Sequence, residues 1–156
     1  KGEWYLYSQI LIILLHLIPP YPNAEYVIFP LNIFFLITGV LISSKGLIIA
    51  LNAFIDLGDN LTPLPYPMKE SVFVRKNTYS AVRHPLYKGL ILISFGIFIF
   101  SLSIIHLALL ICLVYILRKK ALKEEELLKI KFDEYNEYIK SVPAVIKNIK
   151  YLDWRY

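Results

Sequence analysis

From residue 89 to residue 117 the chain carries no Asp, Glu, Lys or Arg. This run most constrains the fold. Backbone in a run this apolar must satisfy its own hydrogen bonds, which favours helix. At ~1.5 Å per residue the run is too long for one untilted crossing of a ~30 Å hydrocarbon layer and tight for two. Ser101-Leu102-Ser103 is its best turn, so we expect a helical hairpin whose arms are lengthened by their basic flanks. Further apolar runs occupy residues 6–18, 31–42 and 47–57. With 57% hydrophobic residues and a single cysteine, Cys112, the chain reads as an all-α membrane protein without an intrachain disulfide. The expected architecture is about four transmembrane helices, including the hairpin, with a cytoplasmic C-terminal helix. Residues 1–156 are expected to form a single domain.

Punctuation along the chain supports this. Trp4, Tyr5 and Tyr7 form an aromatic girdle before the first run, which stops at Pro19-Pro20. No signal-peptide cleavage pattern is evident, so this run is expected to be a retained span. The chain begins at Lys1 rather than Met, and residues upstream are expected. The second run starts near Tyr26, with Pro30 suited to a first helical turn. Residues 47–57 are either a further span or the end of the second helix projecting beyond the bilayer. Residues 59–77 form a loop; Leu61-Thr62-Pro63-Leu64-Pro65-Tyr66-Pro67 is extended, and Asn77 is a turn residue able to take a left-handed conformation. Residues 121–142 are expected to form one helix, closed by Pro143. A basic, aromatic tail with Trp154 and Tyr156 follows, lying against headgroups or the protein.

Charge selects the topology. With turns at residues 19–25 and 101–103, all 17 Lys and Arg fall on one side. The positive-inside rule makes that side cytoplasmic, with both termini on it. A span at 47–57, or a single span over 89–117, would place a strongly basic segment outside. The basic excess is thereby explained by a membrane and not by nucleic acid.

The chemistry-bearing residues flank the hairpin. Before it stands Tyr79-Ser80-Ala81-Val82-Arg83-His84-Pro85-Leu86-Tyr87-Lys88-Gly89. Ionisable residues at a membrane edge are costly to place and are functional candidates by default, although a basic pair there also serves as a headgroup anchor. After the hairpin, a helical wheel over residues 117–142 puts Leu117, Ala121, Leu128, Phe132, Tyr135, Ile139 and Val142 on one face. Glu124 and Glu125 flank that stripe, while Glu126 points away. Carboxylates beside an inward face need partners: Arg83, His84 or a bound cation. A solvated charged helix would present the same residues. His16 is expected to be an interfacial or packed histidine, and His106 and Cys112 packing residues. No cluster has metal-ligand spacing, and neither a glycine-rich phosphate loop nor a serine elbow is present.

These segments together resemble the integral-membrane methyltransferases related to isoprenylcysteine carboxyl methyltransferase and phospholipid methyltransferase. The resemblance rests on Leu61-Thr62-Pro63-Leu64-Pro65, Thr78-Tyr79, Arg83-His84-Pro85-Leu86-Tyr87-Lys88-Gly89, Glu124-Glu125-Glu126-Leu127, Phe132, Tyr135, Tyr138 and Val142-Pro143. It covers roughly the C-terminal two-thirds of the chain. Asn77 stands at the family's turn glycine, Phe132-Asp133 replaces a Phe-Gly pair, and the Phe–Tyr spacing is a residue short. The shift leaves open whether Glu124-Glu125 or Glu125-Glu126 is the acidic pair; the wheel favours the former.

The resemblance implies S-adenosylmethionine as cofactor, bound mainly by residues 60–90 and 118–143. It implies Tyr79, Arg83, His84, Pro85, Tyr87, Glu124 and Glu125 as cofactor-binding residues, with Arg83 and Glu125 carrying the positioning for catalysis. The acceptor would be a lipophilic small molecule or prenylated substrate: a prenylcysteine-type carboxylate, a phospholipid amine or another isoprenoid. An NADPH-dependent sterol or enone reductase, which shares an Arg-His-Pro-x-Tyr segment, and a non-catalytic membrane subunit are the alternatives.

Overall fold

The computed structural model describes residues 2–21, 30–67 and 70–153. All regular structure among them is helical. The helices are α1 (Glu3–Leu15), α2 (Leu31–Leu57, ending in a 3-10 turn, Gly58–Asn60), α3 (Thr78–Ala81), α4 (Pro85–Ser101), α5 (Ile104–Lys131), α6 (Tyr135–Ser141) and α7 (Lys150–Asp153).

α2 is continuous through Ser43, Ser44, Lys45 and Gly46, so residues 47–57 are the end of the second helix and not a separate span. With its terminal turn, α2 is long and apolar enough to cross a membrane. Much of its surface is large, apolar and exposed, including Phe34, Leu41, Ile48, Leu51 and Ile55; α1 likewise exposes Trp4, Tyr7, Leu11 and Leu14. In water such surface would demand a partner; against lipid it needs none.

α2 and α4 make the most extensive helix contact, and glycines set its closeness. A Cβ on Gly39 would lie 2.6 Å from the carbonyl oxygen of Gly96, and one on Gly46 would lie 2.7 Å from that of Gly89. Backbones therefore touch at two levels of an antiparallel pair. Where lipid removes the hydrophobic drive between helices, such close packing is a main source of association.

α4 and α5 form the expected hairpin. α4 ends at Ser101, Leu102 takes a left-handed conformation (φ 48°, ψ 28°), and α5 begins at Ile104. α1 packs on α5 and meets α4 through His16, whose Nε2 lies 2.6 Å from Ser94 Oγ. His106 is buried, with Nε2 3.2 Å from the His16 carbonyl oxygen. Both histidines are packing residues, as expected. Cys112 is not: it is exposed on the outer face of α5.

The helix expected over 121–142 is two helices. Phe132 leaves helical geometry (φ −128°, ψ 110°), and its ring stacks on Phe73 at 5.6 Å between centroids. α6 restarts at Tyr135. The break lets a loop aromatic replace the next turn, and it turns the C-terminal end of α6 toward Arg83. Trp154, Tyr156 and residues 22–29 lie outside the described residues.

Candidate active site

Pro85 occupies the first turn of α4, where its missing N–H costs nothing. His84, directly before it, is held out of helical geometry, and Arg83 and His84 pair across the fold. Arg83 N–H donates to the Pro143 carbonyl at 2.9 Å, and His84 N–H donates to that of Ala144 at 2.9 Å. This clasp joins the start of the hairpin to the segment after α6.

Side chains complete the corner. Arg83 Nε donates to Glu125 Oε1 at 2.8 Å and Nη2 to Oε2 at 3.5 Å. Arg83 Nη1 donates to the carbonyls of Ile139, at 3.1 Å, and Val142. The guanidinium thus neutralises Glu125 and caps the C-terminal end of α6, where a cation is favoured. His84 Nε2 lies 2.8 Å from Glu125 Oε1. All three side chains are buried. Burial by itself would raise the Glu125 carboxyl. The hydrogen bond and charge of His84, then those of Arg83, outweigh it and hold the group down at about 2.

Above the corner lies a cavity of about 470 Å³, within the ~300–1,000 Å³ range of small-molecule sites. At its aromatic end the rings of Phe73, Phe132, Tyr135 and Tyr138 pack on one another beside Tyr79; its apolar lining is Leu6 of α1, Phe54 and Leu57 of α2, and Leu86. Tyr138 O–H donates to the Tyr79 carbonyl, fixing one wall. Burial pushes the phenols of Tyr79, Tyr135 and Tyr138 well up, so each stays protonated. The Tyr87 ring stacks on His84 at 5.3 Å, and its hydroxyl donates to Glu124 Oε2 at 2.9 Å.

The structure brings Tyr79, Arg83, His84, Pro85, Tyr87, Glu124 and Glu125 to one end of the bundle. All but Pro85 and Glu125 line the cavity. Glu125 lies behind it, held by Arg83 and His84, while Glu124 opens into it. Glu126 is exposed and, among the described residues, pairs with Lys123 at 2.7 Å on the solvent side.

Sequence reasoning missed several contributors. Lys120 turns inward from α5 and lines the cavity, its Nζ donating to Gln9 Oε1 at 3.0 Å. Burial pushes its pKa down, against the pull of Glu124. The Arg118-Lys119-Lys120 run hid it, because a membrane-edge basic cluster is ordinarily an anchor. Asp56 receives Thr78 N–H at 3.0 Å, Thr78 Oγ1 at 2.6 Å and Asn77 Nδ2 at 2.9 Å. It thereby pins the turn before α3, where Asn77 has a positive φ of 51°. An acid at the end of an otherwise apolar helix was the available signal.

No curated protein matches the chain. A family model described as phospholipid methyltransferase matches residues 34–134, which take in α2, the loop, the Arg83–His84 corner, the hairpin and the acidic turn of α5.

Proposed function

Because the chain belongs to the phospholipid methyltransferase family, we propose that it transfers a methyl group from S-adenosylmethionine to a lipophilic acceptor at the cytoplasmic membrane face. The observation that carries this reading is the cavity against the Arg83–His84–Glu125 corner, with one carboxylate, Glu124, opening into it. S-adenosylmethionine, when bound, supplies an electrophilic methyl on a sulfonium beside an amino-acid zwitterion and an adenine. The residues present fit that chemistry. Glu124, oriented by Tyr87, can accept the ammonium as a charge-assisted hydrogen bond. The aromatic end offers faces for adenine and for a cationic sulfur.

Arg83 has little left to give a ligand. Its Nε and Nη1, and more weakly Nη2, are committed to Glu125 and to the α6 carbonyls. In this reading Arg83 and Glu125 are positioning residues. They lock α4, α5 and α6 so that Glu124, Tyr79 and Tyr87 converge. Alignment and water exclusion are what a methyl displacement chiefly needs. A carboxylate acceptor is already nucleophilic, whereas an amine must first lose a proton.

The basic segments support a multi-pass arrangement with the cavity and both termini on the cytoplasmic side. The acceptor reaches the cavity from the bilayer past its apolar lining. Calorimetric titration of the detergent-solubilised protein tests the donor assignment. Saturable binding of S-adenosylmethionine is expected. Tight NADPH binding with no S-adenosylmethionine binding would reject it.

A further inference from the structure

Arg118, Lys119 and Lys120 are consecutive but placed differently. Arg118 lies over the Tyr151 ring at 4.3 Å, and Lys119 is exposed. Lys120 is 4% exposed and lines the cavity. Its ammonium carries three donors. One meets Gln9 Oε1 at 3.0 Å, and the Tyr87 ring lies at 5.4 Å. Among the described residues no carboxylate oxygen comes within 4.0 Å of its Nζ. Glu124, one turn on, acts on it only at longer range and is hydrogen-bonded by Tyr87. A buried charge without a counter-charge is expensive, and this one faces ligand space.

Its place in the cavity says which ligand. Gln9, which meets Lys120, and Leu6, one turn before it, lie on α1 and line the cavity with the apolar Phe54 and Leu57 of α2. An amphiphile with its chain along these apolar side chains would bring its headgroup to Lys120.

We propose that Lys120, set by Gln9, is the subsite for an anionic oxygen of the acceptor's headgroup, phosphate or carboxylate, close to the atom that receives the methyl group. The proposal rests on the reading that the donor occupies the aromatic end. An anion here neutralises the ammonium and orients the acceptor while its chain stays in the apolar wall.

The test uses the full chain in neutral detergent and pyrene-labelled amphiphiles: phosphatidylethanolamine, an S-farnesylthio carboxylic acid and a neutral diacylglycerol. Wild type should prefer at least one of the phosphate- and carboxylate-bearing probes over diacylglycerol by about tenfold, the size expected for a charge-assisted contact. The preferred probe distinguishes phosphate from carboxylate. Lys120→Gln should abolish the preference, Lys120→Arg should keep most of it, and affinity for S-adenosylhomocysteine should stay within about twofold in both. Equal binding by wild type of diacylglycerol and of the probes that bear a phosphate or carboxylate overturns the proposal. So does a Lys120→Gln protein that loses S-adenosylhomocysteine affinity but keeps the lipid preference, since the lysine would then serve the donor. Should Lys120→Gln not fold, Lys120→Met and Gln9→Leu carry the same comparison. Failure of wild type to bind any donor would count against methyl transfer alone, because the amphiphile titration needs no donor.

Discussion

Glu124 and Glu125 are adjacent on one helix and sit in opposite circumstances. Glu125 is enclosed by Arg83 and His84 with its oxygens paired. Glu124 faces a cavity, held by the Tyr87 phenol. The same contrast separates two cations. Arg83 spends its donors on the protein, whereas Lys120 spends one on a neutral amide and points the rest toward ligand space. A closed corner holds α4, α5 and α6 together, and an open rim beside it deals with what enters. Charges satisfied within the fold are architecture; charges left half-satisfied at its cavity are chemistry.

Perturbing the two regions should give different kinds of loss. The largest effect is expected from Glu125→Ala, which leaves the Arg83 guanidinium buried and unpaired. Breaking such a pair costs about 3–5 kcal/mol, so thermal melting in detergent should show a large drop. A melt close to wild type would dissolve the distinction between corner and rim. Arg83→Lys should follow in size, because an ammonium cannot reproduce the two-pronged contact while also capping α6.

Acid titration sharpens the same point. The Glu125 carboxyl is lowered from the ordinary 4.5 to about 2, so its stabilisation is complete above about 4.5 and is lost as pH falls toward 2. The loss should be roughly 3 kcal/mol across that window. Glu125→Gln should remove this part of the acid dependence; an unchanged acid limb would mean that other carboxylates supply it.

On the rim, Glu124→Gln should lower S-adenosylmethionine affinity about tenfold or more, the range of a charge-assisted hydrogen bond, with little change in melting. A destabilised protein with normal donor affinity would make Glu124 a second structural carboxylate. The smallest effect is expected from Glu126→Ala: within about 0.5 kcal/mol in stability and no change in donor titration.

Much of the helical framework was legible beforehand, because its signals are local. Absence of charge over residues 89–117 demanded helix, Ser101-Leu102-Ser103 marked the reversal, and Pro85 marked the start of α4. The wheel separated Glu126 from Glu125 because consecutive helical residues diverge by ~100°. The break at Phe132 was not legible, since it depends on Phe73 arriving from the loop. The inward turn of Lys120 was also hidden, because it depends on Gln9 from a helix more than a hundred residues earlier.

By itself the sequence determined the long apolar helices, the reversal of the hairpin, and that the acidic turn and the Arg83-His84 pair would need partners. Hydrophobic period, proline and charge act over a few residues and can be read in order. Only the tertiary structure decided which charges neutralise one another and which are left facing ligand space. That choice depends on distances between segments far apart in the chain, and a difference of an ångström or two separates a closed ion pair from an open site.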